Sequence, residues 1–106
     1  MKTILLDDYH IKIGQNRDEN ELLLNTMSGD FTWFHIKDYP SAHLWIDEDF
    51  NNLTKKQIYN CALELKKSGK YRKWNNIEII YTQGKNLKKT NTPGTVITSK
   101  TKTIKV

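Results

Sequence analysis

Cysteine is almost missing from this chain of 106 residues, where Cys61 stands alone. A disulfide framework is thereby excluded, and a reducing compartment, the cytoplasm or else the nucleus, is the expected location. The thiol sits in a helical pattern and reads as a small core residue. Proline occurs twice and glycine five times. No linker, internal repeat or low-complexity tract divides the sequence, so residues 1–106 are expected to form one domain around one core. Long apolar runs are absent too. None approaches the roughly 18 residues that a membrane span requires. Met1–Leu6 opens like a signal peptide, but Asp7 and Asp8 end its apolar stretch. No membrane partner is expected.

Catalytic and metal-binding patterns are equally thin. His35 and His43 fall on neighbouring expected strands, yet the further ligand candidates His10, Asp30, Asp38 and Cys61 lie at no metal-site spacing. Ser41 near His43 has no orienting acid and no oxyanion-hole motif. Asp47-Glu48-Asp49 reads as a solvated acidic loop rather than a cation site. Residues 14–20 hold a single Gly and no Gly-Lys-Ser/Thr, which excludes a phosphate-binding loop. The expectation is a protein with no enzymatic activity, cofactor or metal.

Acidic residues are also scarce where the bases gather. Residues 1–65 contain six Lys or Arg against eleven Asp or Glu, whereas residues 66–106 contain eleven bases and one acid, Glu78. The overall charge of +5 therefore conceals an acidic first part and a strongly basic second part. The bases cluster as Lys66-Lys67, as Lys70-Tyr71-Arg72-Lys73-Trp74, and from Lys85 to Lys89. Cations interleaved with aromatic rings suit single-stranded or irregular RNA, because cations neutralise phosphate while a ring stacks on an exposed base. Tyr71 and Trp74 are the stacking candidates of this run, with packing against the preceding helix as the other reading of Trp74. A Lys-rich face that serves only solubility is the bland alternative.

Residues 30–46 concentrate two of the three Trp, two of the three His and two of the three Phe. The alternation predicts strands over Thr32–Ile36 and His43–Ile46, joined by a proline-containing connection from Lys37 to Ala42. Phe34 and Ile36 share one face with Leu44 and Ile46 across from them. Trp33, His35, His43 and Trp45 line the other face. The Trp and Phe rings read chiefly as core, with Trp45 open to either role. The two His read as polar groups that hold the Lys37–Ala42 connection in shape. Tyr39, beside Pro40, is a candidate stacking ring.

Elsewhere the pattern is α+β: a single domain with a mainly antiparallel sheet, one main helix and one short helix. Lys2–Leu6 and Tyr9–Ile13 read as a hairpin turning at Asp7-Asp8. Asp18 is expected to cap a short helix through about Asn25. Thr54 with Gln57 suggests a capping box, and the main helix runs to about Ser68 with Ile58, Cys61, Ala62 and Leu65 on one stripe. Lys66, Lys67 and Gly69 mark its end, Gly69 as a left-handed cap. Ile77–Thr82 reads as a strand, Gln83–Pro93 as a polar loop, Thr95–Thr98 as a strand, and Ser99-Lys100 as a turn into the last one.

Several of these segments together resemble the NFACT-R family. Asp30, Trp33-Phe34-His35-Ile36 and Pro40-Ser41-Ala42-His43 match its aromatic signature, with the Asp-to-Trp spacing one residue longer than usual. Gly14-Gln15-Asn16 with Glu19-Asn20-Glu21-Leu22 is similar to a second family motif, and Ile79-Ile80-Tyr81-Thr82 with Asn86-Leu87-Lys88-Lys89 to a third. Pro93–Val96 and Thr103–Val106 resemble its closing hairpin. The resemblance runs in order along nearly the whole chain, and it is stronger to a standalone eukaryotic version of the domain than to the version in large members.

The resemblance implies an RNA-binding module. Large members bear this domain beside others and act on the large ribosomal subunit and tRNA in ribosome-associated quality control, which makes tRNA or ribosomal RNA the expected ligand. Lys70, Arg72, Lys73, Lys85, Lys88 and Lys89 are then expected to neutralise the backbone, with Tyr71 among them as a stacking ring. The loop from Lys37 through Tyr39 to His43 is expected to supply shape-specific contacts. Two other readings stay open: a protein-interaction module docking through the aromatic hairpin, and a DNA-binding module, since cations do not distinguish the sugar.

Overall fold

Period-two alternation builds this sheet from its middle outward. The computed structural model describes residues 1–106. In chain order the elements are β1 (Lys2–Leu6), β2 (Tyr9–Gly14), α1 (Arg17–Thr26), β3 (Thr32–Ile36), β4 (His43–Ile46), α2 (Lys55–Lys67), β5 (Glu78–Gln83), β6 (Leu87–Lys89), β7 (Val96–Thr98) and β8 (Lys102–Lys105). Six strands form one antiparallel sheet in the order β1-β2-β4-β3-β5-β8, and β6 pairs with β7 in a separate hairpin. Trp33 stands opposite Trp45 and Phe34 opposite Leu44, so the aromatic hairpin is the centre of the sheet.

Both faces of that centre are buried, each by a different layer. Phe34, Ile36, Leu44 and Ile46 pack with Ile11, Ile13 and Ile79 against the Ile58, Cys61, Ala62 and Leu65 stripe of α2. Trp33 and Trp45 face the other way and pack with Leu23 of α1, with Leu87 and Val96 of the small hairpin against them. A sheet covered on both sides explains why β3 and β4 carry large apolar residues at both of their alternating positions.

Local chemistry sets the helix starts. Thr54 Oγ1 accepts from the Gln57 N–H while Gln57 Oε1 accepts from the Thr54 N–H, a reciprocal capping box. α1 starts two positions earlier than expected: its cap is Asn16, whose Oδ1 accepts from the Glu19 N–H at 2.9 Å, and not Asp18, which lies inside the first turn. Gly14 and Asn20 show why this start is fixed. The Asn20 side chain lies against Gly14, leaving no room for a Cβ, and its Oδ1 accepts from the His43 N–H at 3.3 Å. The helix is thereby clamped to β2 and β4.

Three further expectations are corrected. Gly69 is not a left-handed cap; Ser68 ends α2 in right-handed geometry, its hydroxyl donating to Leu65 O at 2.6 Å. The Gln83–Pro93 segment is not all loop, because residues 84–86 form a 3-10 turn and Leu87–Lys89 is strand β6. No closing hairpin forms between the last two strands: β7 pairs with β6, and β8 returns to the edge of β5. Thr82 joins these layers. Its buried hydroxyl accepts from Asn86 Nδ2 at 3.0 Å and donates toward the Ser99 and Lys100 carbonyls.

Candidate nucleic-acid interface

Two segments distant in sequence meet beyond the ends of β3 and β4. The first is the connection from Lys37 to Ala42, where Asp38 takes a left-handed φ of 65°. Ser41 Oγ accepts from the Ile36 N–H at 3.1 Å and donates to Ala42 O, and the Lys37 N–H donates to Glu78 O at 2.9 Å. The second is the turn that follows α2, whose Tyr71 hydroxyl donates to Pro40 O at 2.9 Å.

Their aromatic residues form one cluster. Tyr39 lies 5.6 Å from Tyr71 and, edge to face, 5.4 Å from Trp74, while Tyr71 and Trp74 are 5.0 Å apart. Tyr71 is the root, 4% exposed, whereas Tyr39 and Trp74 are 45% and 46% exposed. Such rings are free to stack a planar ligand on one side while the root holds them on the other. The cations Lys37, Lys70, Arg72 and Lys73 are exposed around them. Lys70 Nζ sits 5.5 Å from the centre of the Tyr71 ring. Lys37 reaches Glu78 at 3.4 Å, but Lys70, Arg72 and Lys73 enter no ion pair.

The structure therefore joins Lys37 and Tyr39 to the Lys70–Trp74 run and corrects the part assigned to Tyr71. Its ring belongs to the core and fastens the loop, so no base can stack on it. His43 is likewise interior, 4% exposed. Neither His holds the Lys37–Ala42 connection; Ser41, Tyr71 and the Lys37 backbone do. The two imidazoles instead meet edge to face at 5.2 Å, beside Trp33. Burial first, and then the neighbouring His35, pushes the His43 pKa down to about 3, and burial lowers that of His35 as well.

Lys85, Lys88 and Lys89 are exposed but do not join this cluster. They belong to the β6–β7 layer, on the α1 side of the sheet. Lys85 packs on Gly29, and Lys89 is paired with Glu21 at 2.7 Å and with Asn25 Oδ1 at 2.6 Å. That Lys89 partner, followed by the Gly94 N–H, holds the Glu21 carboxyl below its ordinary value. The burial of Trp33, Phe34 and Trp45 also leaves the aromatic hairpin no apolar docking face; only its Tyr39 loop is open.

Sequence reasoning missed Asn75, Asn76 and Glu78 around the cluster, and placed Asp38 within the contact loop without a role of its own. With Lys37, Tyr39 and Trp74 they line an open cavity of about 350 Å³. The one signal for them was the Asn75-Asn76 doublet, a turn former whose second residue adopts a φ of 55°.

Comparison with known proteins bears on the family and the fold. The model of the NFACT protein RNA binding domain matches residues 3–105. Coiled-coil domain-containing protein 25 from Bos taurus and from Mus musculus is 33% identical over 88 residues, which is 77% of this chain and 42% of the relative. The Danio rerio protein of the same name is 33% identical over 86 residues. The chain thus spans about two fifths of the length of these curated relatives. Among solved structures, the C-terminal part of the fibronectin/fibrinogen-binding protein from Streptococcus suis superposes with a TM-score of 0.88 at 26% identity, covering 98% of this chain and 44% of that one. A match of family model, relatives and fold over the same residues has one meaning: the chain belongs to the NFACT-R family of RNA-binding domains.

Proposed function

We propose that this chain is a non-enzymatic module that binds unpaired nucleotides of a structured RNA through the Tyr39–Trp74 cluster. One observation carries the reading: two half-exposed rings share a buried root and are bracketed by three cations without ion-pair partners. The rings take bases, and Lys70, Arg72 and Lys73 take the adjoining phosphates. The family resemblance further supports tRNA or ribosomal RNA as the ligand, the large ribosomal subunit as a setting, and quality control of stalled nascent chains in the cytoplasm as the process. Lys85 and Lys88, on the other side of the sheet, would then meet a second region of the same large RNA.

The test is binding of a labelled single-stranded RNA and a duplex of equal length, followed by fluorescence anisotropy. Three phosphate contacts on a single strand give a log-log salt slope near about −2, a loss of roughly twentyfold between about 50 and 200 mM salt. Trp74 is the one exposed Trp, so its fluorescence should be quenched by the single strand. Tyr39→Ala with Trp74→Ala should abolish the single-strand preference. Affinity independent of salt, or a double variant that binds like the parent, refutes the mechanism. Equal binding of single-stranded DNA would assign the module to both nucleic acids.

A further inference from the structure

The cavity beside the two exposed rings has the wrong charge for phosphate. Glu78, the lone acid of the basic segment 66–106, lines it together with Asp38. With Lys37 as the one cation of the lining, the two carboxylates leave it net negative, so the backbone must pass along the cations outside while something uncharged enters. At about 350 Å³ the space lies near the lower end of small-ligand sites. Its walls offer the Tyr39 and Trp74 rings for stacking and the amides of Asn75 and Asn76 for hydrogen bonding.

Its two carboxylates are not equivalent. Glu78 is held by Lys37 at 3.4 Å, whereas the Asp38 carboxylate enters no ion pair. Asp38 and Asn76 are also two of the four non-glycine residues with left-handed backbone, at φ 65° and 55°, and both belong to this one cavity. Asp and Asn tolerate that region better than other side chains. A free carboxylate beside stacking rings selects for hydrogen-bond donors. Among the four RNA bases, guanine alone presents two adjacent N–H donors on its Watson–Crick edge, at N1 and at the N2 amino group. A carboxylate meets such a pair with two parallel bonds.

We infer that this cavity is a base-selective subsite for an unpaired guanine, stacked on one of the perpendicular Tyr39 and Trp74 rings with the other against its edge, and read at N1–H and N2–H by the Asp38 carboxylate. The inference rests on the RNA-binding reading above and names what that same site prefers. The Asn75 and Asn76 amides are available to the O6 edge of the base. Asp38 is thus the specificity determinant, and the cations set affinity without regard to sequence.

The experiment compares short oligouridylates carrying one central guanosine, adenosine, inosine or uridine, with affinity read by anisotropy at fixed low salt. Inosine keeps N1–H and lacks the N2 amino group. The guanosine oligonucleotide should bind about tenfold more tightly than the adenosine and uridine ones, and inosine should lose most of that gain. Asp38→Asn, which keeps a side chain suited to positive φ, should bring the guanosine oligonucleotide down to the affinity of the others. Circular dichroism checks that the variant is folded. Equal affinity of the parent protein for all four, or a guanosine preference that survives Asp38→Asn, overturns the inference while leaving the RNA-binding reading intact. Failure to bind any of the four would remove that reading and the inference with it.

Discussion

Lowering the pH should destabilise this fold well before its carboxylates titrate, because of the imidazole pair buried on the α1 side of the sheet. His43 is 4% exposed and lies 5.2 Å from His35. Its pKa is depressed from 6.5 to about 3, first by burial and then by His35. The unfolded chain takes up this proton near pH 6.5 and the native state does not until about pH 3, so between those values the unfolded state binds more protons. The resulting stability is fully present above about pH 7 and is lost as pH falls through that window. From about pH 8 to about pH 5 the loss from this one group is about 2 kcal/mol. His35, also depressed by burial, adds to the loss with the same sign.

With about 2.1 cal/mol/K of unfolding entropy per residue, that loss lowers the Tm by roughly 9 °C. Thermal unfolding followed by far-ultraviolet circular dichroism at the two pH values measures it. Glu19 and Glu21, whose carboxyls are held low, enter only below about pH 5 and leave this window clear. His43→Phe keeps an aromatic ring and removes the titration, so its Tm should fall by clearly less than that of the parent. A parent Tm that is flat from pH 8 to pH 5, or falls equally in the variant, would refute the argument that the buried pair is held neutral.

Two other substitutions probe how the loop and helix are fixed. Tyr71→Phe removes the hydroxyl that donates to Pro40 O while keeping the core ring. It should cost about 1 kcal/mol in chemical denaturation and speed amide exchange over residues 37–42 more than in α2. Gly14→Ala drives a methyl group into the Asn20 amide oxygen and to 3.0 Å from the Asn20 backbone nitrogen, where α1 cannot recede without losing the bond to the His43 N–H. A loss of about 1–3 kcal/mol is expected by the same assay, with faster exchange along α1.

Residues 32–36 and 43–46 were legible because two faces of opposite composition alternate within nine residues of strand, and each face finds its own cover. The reciprocal bonds of Thr54 and Gln57 were legible for a related reason: the partners are three residues apart, so the motif contains its own geometry. β6 was not legible. Only Leu87 in it is apolar, and Leu87–Lys89 is a strand because Val96–Thr98 lies beside it. Asn16 and Asp18 are both competent caps, and the contact of Asn20 with Gly14 and His43 selects the earlier one.

The interface divides the same way. Composition alone placed the cations downstream of residue 65 and set rings among them, and ordered motifs placed the chain in its family. Which ring faces solvent was a tertiary matter. Tyr71 and Trp74 are equivalent as neighbours of lysine in the chain, but one is turned into the core by a bond to Pro40, 31 residues away, and the other is left open beside Tyr39. Lys73 and Lys89 are equally basic in the sequence, yet Glu21 and Asn25 hold the second and nothing pairs with the first. Periodicity, capping and charge balance are properties of neighbours along the chain, so the sequence by itself determined them. Burial and ion pairing depend on which distant segments the sheet brings together, and only the folded structure decided those.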